Sequence, residues 1–401
     1  MTYRSCLAVW ILMAIHASPC ASQSFYPLGF LPGADETLAD AITADGTTIF
    51  GGSGDENSLG TMTPVRWTAA GGLTPLAAIQ DGQRAMAWDV SASGATVVGQ
   101  ISTLGATSFD VQAFRWTAEE GIVRLGDLPG GKVRSFAYGV SDDGQTVVGS
   151  GTVSAGLDAE KSEAFRWTAS EGMQGLRFLP DKNDQSFALD VSGDGSIIVG
   201  FSSRFEMDGE YQITHHEAFR WTEQSGMVGL GDFAGGEFFS FADAITDDGT
   251  VIVGHSWGEN GTEAFRWTEQ SGMVGLGMLP SDSSLTPFSG AYAVSANGSV
   301  IVGVSTGHAA VWDERHGFRS IASLLMSSGV DVTGWYLEQA RGVSADGLTI
   351  TGFGINPNGR QEAWVAVLPE NVFAAPEPES GLMMAICCSL AFLMYARQPS
   401  Q

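Results

Sequence analysis

The feature that most constrains the fold of this 401-residue chain is a motif that recurs seven times, at intervals of 48 to 54 residues. Its centre is a glycine, here called the turn glycine, from which positions are counted. A β-branched residue lies four positions before it, Ser or Thr lies three before it, and a second glycine lies five after it. The turn glycines are Gly46, Gly94, Gly144, Gly195, Gly249, Gly298 and Gly347. A period of this length indicates repeated units that stack against one another.

The second half of each repeat carries a tryptophan in a short apolar segment. Its fullest form, Glu-Ala-Phe-Arg-Trp-Thr, occurs at Glu163–Thr168, Glu217–Thr222 and Glu263–Thr268. Because side chains alternate between the two faces of a strand, Phe and Trp share one face, and Ala and Arg share the other. The repeated tryptophans are Trp67, Trp116, Trp167, Trp221, Trp267, Trp312 and Trp364.

Each repeat reads as four short strands. The first ends at Val-Ser, and the turn glycine in the Asp-Gly turn that follows supplies a positive φ at little cost. The second is of the Thr-Val-Val-Gly type, the third holds the tryptophan, and the fourth is an apolar run such as Met227–Gly231. Residues 25–369 show no sustained helical periodicity. Seven such units predict an all-β, seven-bladed β-propeller. An open β-solenoid is the alternative, but it needs caps that the sequence does not show.

The two ends of the repeat region are complementary. Residues 25–30 resemble a fourth strand without a repeat of their own, whereas the last repeat ends on its third strand, at residues 362–367. Pairing the N-terminal strand with the last repeat would complete the seventh blade and remove two exposed sheet edges. The sequence therefore predicts a ring that is closed by its N-terminal strand.

The repeats resemble the HAF family of probable extracellular repeats. The resemblance rests on the Ala-Phe-Arg-Trp strand, the Val-Ser-x-Asp-Gly turn and the segment Leu125–Gly131, and it covers residues 25–369. It implies export and a repeat scaffold, with no known reaction and no catalytic residues. The outer repeats depart from the pattern: Val65 stands at the Phe position, Val311 stands at the Arg position, and Trp364 is placed to occupy the Phe position.

Both ends of the chain resemble sorting signals. Residues 1–22 have the layout of a secretory signal peptide, with Arg4 before an apolar run. The repeat body is predicted over 23–369, a linker over 370–380 and an apolar sorting or anchor helix over 381–397. The motif Pro376-Glu377-Pro378, followed by the apolar segment and Arg397, resembles a PEP-CTERM tail. That resemblance implies an exosortase-type sorting enzyme as partner and membrane contact, transient or permanent, through the C-terminal helix; a plain C-terminal anchor is the alternative.

The net charge limits the possible partners. With 19 Lys and Arg against 45 Asp and Glu, the formal charge is −26, which repels nucleic acid and anionic lipid. The four cysteines, at positions 6, 20, 387 and 388, all lie in the predicted sorting segments. A cysteine-free body needs no disulfides in an exported location.

Few residues point to specific chemistry. The aspartates beside the turn glycines favour ordinary turn hydrogen bonding over calcium loops, because no distal glutamate follows. The strand arginines are expected to pair with acids or carbonyls, and the strand phenylalanines to fill the space between blades. Three loop histidines could meet at one rim and hold a metal, although solvated histidines are the simpler interpretation: His215, His216 and His255. We assign no catalytic, cofactor-binding or metal-binding residue.

The sequence favours a non-enzymatic scaffold at the cell surface or in the extracellular matrix, membrane-tethered before its tail is processed. Such a scaffold would bind a surface polymer, such as an extracellular polysaccharide, or another partner through the variable loops between second and third strands. The alternatives are a carbohydrate-active lyase or hydrolase with a site at the central channel, and a calcium-stabilised adhesin. Clustered channel acids with shifted pKa values would favour the enzyme, whereas a channel lined by small residues would favour the scaffold.

Overall fold

A computed structural model shows a seven-bladed β-propeller. It describes residues 24–55, 62–80, 82–104, 109–154, 160–182, 184–209, 211–235, 239–259, 261–280 and 287–373. Within these residues, seven four-stranded antiparallel sheets stand around a common axis. The predicted fold class is therefore confirmed.

The strands follow the chain blade by blade, after an N-terminal strand β1 (Ser24–Pro27). Blade 1 has β2 (Glu36–Ile42), β3 (Thr48–Gly54), β4 (Thr63–Thr68) and β5 (Gly72–Pro75). Blade 2 has β6 (Gln83–Val90), β7 (Thr96–Leu104), β8 (Phe109–Thr117) and β9 (Gly121–Gly126). Blade 3 has β10 (Ser135–Val140), β11 (Val147–Ser154), β12 (Glu160–Thr168) and β13 (Gly172–Gly175).

The remaining blades repeat this pattern. Blade 4 has β14 (Gln185–Val191), β15 (Ile197–Asp208), β16 (Tyr211–Thr222) and β17 (Gly226–Gly231). Blade 5 has β18 (Ser240–Ile245), β19 (Ile252–Gly258), β20 (Gly261–Thr268) and β21 (Gly272–Gly275). Blade 6 has β22 (Ser289–Val294), β23 (Val300–Ser305), β24 (His308–Asp313) and β25 (Gly317–Ser320). Blade 7 has β26 (Tyr336–Val343), β27 (Thr349–Ile355) and β28 (Gln361–Val367).

The N-terminal strand closes the ring as predicted. β1 pairs antiparallel with β28, so that Ser24 faces Val367 and Tyr26 faces Val365. Blade 7 therefore gains its fourth strand from the start of the chain. The backbone N–H of Ala345 also donates to the carbonyl of Ala44 across the junction of blades 7 and 1 (2.9 Å).

The repeated turns are held by short polar side chains. In blade 3, Ser141 Oγ donates to Asp143 Oδ1 (2.7 Å) and accepts from the N–H of Thr146 (3.0 Å). Asp143 Oδ1 also accepts from the N–H of Gln145 (2.9 Å). The seven turn glycines have φ values of 70° to 80°, a region that side chains disfavour. The turn aspartates thus hold the hairpins, as the sequence indicated.

The second repeated glycine is explained by a bulge in the first strand of each blade. Where the first strand pairs with the second, the residue six positions before the turn glycine is an extra residue without a partner on the second strand. In β10 this extra residue lies between Ala137 and Gly139. The bulge pushes a backbone carbonyl toward the second strand. A methyl group on Gly149 would overlap the carbonyl oxygen of Phe136, and the other six blades repeat this contact. Only glycine fits there.

Apolar side chains fill the space between blades. An alanine seven positions before each turn glycine is buried in every blade, as is Ala137. The third-strand phenylalanines have no exposed surface, which confirms their predicted position: Phe114, Phe165, Phe219 and Phe265. In blade 7, Trp364 faces Gly352, as Phe165 faces Gly149 in blade 3, so it occupies the Phe position. The repeated tryptophans other than Trp67 and Trp364 are only partly buried.

The structure also contains a helix that the sequence did not predict. α1 (Ile321–Ser327) follows β25, and its N-cap Ser320 accepts from the N–H of Ser323. Seven residues are too few to show a helical period, although Ile321 and Leu325 are buried on one face. A short 3₁₀ helix spans Glu370–Phe373. The described part of the chain contains no helix that is long and apolar enough to cross a membrane.

The chain divides into two compact units. The propeller unit comprises Gln23–Leu368. Residues before Gln23 and after Leu368 make up the other unit, of which only 369–373 are described. The signal peptide over 1–22, the motif Pro376-Glu377-Pro378, the helix over 381–397 and Arg397 all lie outside the described residues.

Candidate functional site

The first strands of the blades surround the central channel. Each contacts the first strand of the next blade, and β26 contacts β2 to complete the circle. Because the strands of a blade alternate in direction, the repeated turns lie at one end of the molecule and the variable loops at the other. We call these the turn end and the loop end.

The channel toward the turn end holds a cavity of about 220 Å³, here called the acidic pocket. It is lined by residues six, five, four and two positions before the turn glycines. The charged residues among them are Asp40, Asp89, Asp142, Asp190, Asp243, Asp247 and Arg341. These aspartates lie on bulged strands and in the following turns, where the chain bends into the channel. The channel is therefore strongly acidic at this end.

Two of the aspartates join neighbouring blades. Asp89 Oδ2 accepts from the N–H of Val140 in blade 3 (2.8 Å), and Asp190 Oδ2 accepts from the N–H of Ile245 in blade 5 (2.9 Å). Burial raises the pKa of Asp89 to about 7, although its backbone hydrogen bonds oppose this. Burial also raises the pKa of Asp190 well above its ordinary value, and the nearby charge of Asp89 adds to the effect.

Burial also destabilises the anions of three further carboxyl groups of the pocket, those of Asp40, Asp142 and Asp247. Burial raises the pKa of Asp40 to about 6, against the attraction of the Arg341 guanidinium. Asp40 Oδ2 has no accessible surface and makes no hydrogen bond to any described residue. Burial raises the pKa values of Asp142 and Asp247 as well, and the charge of Asp247 adds to the effect on Asp142.

The loop end of the channel carries a connected group of rings, here called the aromatic cluster. Phe187 stacks on Phe201 (centroids 4.8 Å apart), and Phe241 stacks on His255 (4.8 Å). Phe201 and Phe241 lie 4.5 Å apart, which joins blades 4 and 5. The cluster consists of Phe187, Phe201, His216, Phe239, Phe241, His255 and Trp257. Trp257 is 47% exposed, and the other members are partly exposed.

Two of the three loop histidines, His216 and His255, do gather here, but each of the three has its own partner. His216 Nδ1 lies 2.8 Å from Ser203 Oγ, His255 Nδ1 lies 2.7 Å from Asp243 Oδ2, and His215 Nε2 lies 3.5 Å from Glu206. Phe241 packs against both His216 and His255. Burial lowers the pKa of His216 to about 4. Among the described residues, no three metal-ligating side chains form a group.

The strand arginines also meet acids where the sequence suggested it. Arg115 Nη1 lies 2.9 Å from Glu120 Oε2, and Arg166 Nη1 lies 2.8 Å from Glu171 Oε2. Both acids stand in the turn that follows the arginine strand. These arginines thus pair within their own blades.

One repeated contact escaped the sequence analysis. A buried Ser or Thr, nine positions before the turn glycine in five of the repeats, links its blade to the preceding one. Ser186 Oγ accepts from the N–H of Ala164 (2.9 Å) and donates to the carbonyl of Arg177 (2.7 Å). The residues at this position are Thr37, Ser135, Ser186, Ser240 and Ser289. Their recurrence at one position is the signal that could have identified them.

Comparisons with known proteins show the fold only. No protein family and no curated protein sequence matches the chain. The β-propeller domain of the Trilobed protease from Pyrococcus furiosus, which has an open velcro topology, matches with a TM-score of 0.53 at 10% identity, over 86% of this chain and 99% of that one.

An oligogalacturonate lyase in complex with manganese matches with a TM-score of 0.51 at 14% identity, over 88% of this chain and 96% of that one. TolB from Acinetobacter baumannii matches with a TM-score of 0.41 at 12% identity, over 83% of this chain; this chain spans 63% of that one. What these comparisons establish is that the chain is a β-propeller with distant propeller neighbours, some of which are enzymes.

Proposed function

We propose that this protein is an exported, non-enzymatic β-propeller, related to the HAF extracellular repeats, that binds an extracellular polysaccharide at its aromatic cluster. The observation that carries the proposal is the group of partly exposed rings at the loop end of the channel. Rings that only filled the core would be fully buried, as Phe219 and Phe265 are. Here Trp257 is 47% exposed and Phe205, on the neighbouring β15, is 39% exposed.

The chemistry of the cluster suits a sugar chain. Aromatic rings offer flat apolar faces to the C–H faces of sugar rings, and nearby polar groups can meet the hydroxyls. His255 and Asp243 provide such groups beside Phe241. The cluster is built on strands of two adjacent blades, so its geometry is fixed before a ligand arrives, which limits the entropic cost of binding.

Removal of one exposed ring tests this proposal. Trp257→Ala should weaken binding to an exopolysaccharide roughly five- to thirtyfold, because an exposed aromatic platform contributes on the order of 1–2 kcal/mol. Trp257→Phe keeps a ring and should retain most of the affinity, and Val228→Ala removes an exposed apolar group outside the cluster. Binding to a glycan array and titration calorimetry provide the readout. Equal affinity of Trp257→Ala and the native protein would refute this location of the site.

The export part of the proposal is tested separately. The signal peptide over 1–22 is expected to be removed, and the Pro376-Glu377-Pro378 motif with Arg397 to direct processing by an exosortase-type enzyme at the cell surface. In a host with that enzyme, replacing Pro376 and Pro378 by alanine should leave the tail attached, as seen by intact mass. Normal processing of the variant would argue for a plain anchor.

One observation favours a carbohydrate lyase or hydrolase as the second candidate. Asp89 and Asp190 form a channel pair with raised pKa values, which is the sign expected of catalytic acids. One oxygen of each, however, accepts a backbone hydrogen bond from another blade, so their first role is to hold the ring together. Incubation with acidic and neutral glycans, followed by assay of reducing ends and of absorbance from unsaturated products, distinguishes the two functions. Turnover that is lost in Asp190→Asn would favour the enzyme.

A further inference from the structure

The acidic pocket contains two aspartates at each of three levels along the channel. Asp40 and Asp243 stand six positions before their turn glycines, Asp89 and Asp190 stand five before, and Asp142 and Asp247 stand two before. Positions six and five before the turn glycine lie on the first strands, and position two lies in the turn that follows, so the levels run from inside the channel toward the turn end. The carboxyl groups therefore follow the channel axis.

The negative charge of the pocket exceeds the positive charge available within it. Arg341 is the only Lys, Arg or His among the described residues that line the cavity. Asp243 also bonds to His255 of the aromatic cluster, which connects the two sites. The buried Oδ2 of Asp40 lacks a hydrogen bond from any described residue. A buried carboxyl group without a donor is costly to ionise, so a positive charge held in the cavity that Asp40 lines would be favoured.

The free space is shaped around these carboxyl groups. Position two before the turn glycine is Gly193 in blade 4, between Asp142 of blade 3 and Asp247 of blade 5. A methyl group on Gly193 would overlap Asp142 Oδ2, so the glycine leaves room for that carboxylate. At about 220 Å³ the cavity is smaller than the sites of drug-sized ligands.

The walls suit an aliphatic cation. Alanine, valine and isoleucine side chains lie between the aspartate levels. Trp88 and Tyr138 meet edge to face at 6.2 Å on one side. On the opposite side the Arg341 guanidinium lies 4.7 Å from the ring centre of Tyr292. The channel wall thus already holds one cation against an aromatic face.

We propose that the acidic pocket binds a linear aliphatic polyammonium ion, which lies along the channel axis with its ammonium groups at successive aspartate levels. The methylene segments would contact the alanine and valine walls, and each ammonium group would donate to carboxylates. A single metal ion fits less well, because the described residues place no three metal ligands together. This proposal is independent of the polysaccharide site.

Spermidine is the probe for this proposal. The test uses the purified protein at pH 8, because burial raises the carboxyl pKa values and ionised carboxylates are needed. The titratable and charged groups that face the pocket are Asp40, Asp89, Tyr138, Asp142, Asp190, Asp243, Asp247, His255, Tyr292 and Arg341. At physiological salt, spermidine should raise the melting temperature by roughly 2–5 °C. Butylamine at the same concentration of ammonium groups should raise it much less, because it meets only one level.

Charge-matched variants separate the pocket from the acidic surface. Asp142→Asn with Asp247→Asn, and separately Asp40→Asn, should abolish most of the spermidine shift. Glu223→Gln with Glu269→Gln removes two exposed acids from other turns at the same end and should keep the shift. Equal shifts in both double variants, or equal shifts from spermidine and from Mg²⁺ at matched ionic strength, would overturn the proposal in favour of general charge screening.

Discussion

A single residue at the end of the third repeat departs from a backbone rule that four other fourth strands obey. After the fourth strand the chain turns through Leu-Gly in blades 2, 4 and 5 and at the N-terminal strand, with positive φ at Gly29, Gly126, Gly231 and Gly277. In blade 3 this position is Arg177, with φ of 71°. The turn is kept because Glu163 Oε1 accepts from the N–H of Arg177 (3.0 Å), as Glu263 does from Gly277.

Arg177→Gly should therefore stabilise the protein. Relief of the left-handed conformation should raise the free energy of unfolding by about 1–2 kcal/mol. The greater freedom of glycine in the unfolded chain lowers it by about 0.5–1 kcal/mol. The Arg177 side chain is exposed, so little packing is lost. Thermal unfolding is the measurement, and Gly277→Ala is the reciprocal variant, expected to destabilise. A lower melting temperature for Arg177→Gly would contradict this view of the turn.

The buried carboxyl group of Asp40 makes stability depend on pH. Its pKa is raised to about 6 in the folded state from 3.8 in the unfolded chain. Its contribution is therefore fully present below pH 3.8 and is lost as pH rises through 6. Between pH 5 and pH 8 this loss amounts to about 1 kcal/mol.

Asp40→Asn should reduce the difference in melting temperature between pH 5 and pH 8, with its gain in stability confined to the higher pH. Asp45→Asn is the control, because hydrogen bonds from Thr43 and Thr47 lower the pKa of the Asp45 carboxyl group. That variant should lose stability at both pH values. An unchanged pH dependence in Asp40→Asn would show that Asp40 is not a buried, protonated group near pH 5.

At the scale of the element, the buried serines on first strands connect one blade to the next. Ser186→Ala would leave the N–H of Ala164 and the carbonyl of Arg177 without this partner. The expected loss is about 1–3 kcal/mol, measured by thermal or denaturant unfolding. Ser170→Ala, at an exposed turn position, should change stability little. Equal effects of the two substitutions would mean that the serine bridge adds nothing.

The elements also show why some features were predictable and others were not. A turn that needs positive φ requires glycine, so seven blades carry seven turn glycines. The residues at the bulge on the first strand share no sequence pattern that would predict it. The only sign of the bulge in the sequence is the second repeated glycine, which faces it on the second strand. The acidic pocket was harder to identify, because its six aspartates occupy three different positions in five repeats, and only ring closure brings them together.

At the scale of the whole molecule, the N-terminal strand determines whether the blades form a ring. β1 contributes the outer strand of blade 7, and Phe25 packs on Trp335 (centroids 5.1 Å apart) and near Trp364 (6.3 Å). Arg360 Nη2 also donates to the carbonyl of Ala34 (2.9 Å). The acidic pocket and the contacts between blades 7 and 1 both depend on this closure. The pocket lining is complete only in a closed ring, since Asp40 lies in blade 1 and Arg341 in blade 7.

Cross-linking β1 to β28 tests the closed ring most directly. Ser24 and Val367 face each other, at a Cα separation expected for paired strands and suitable for a disulfide. In residues 23–374, which contain no native cysteine, Ser24→Cys with Val367→Cys should form a disulfide on oxidation and raise the melting temperature. Ser24→Cys with Ala366→Cys places the second thiol on the other face of the strand and should cross-link poorly. Efficient disulfide formation confined to the first pair is the predicted result; equal cross-linking of both pairs, or of neither, would contradict a propeller closed by its N-terminal strand.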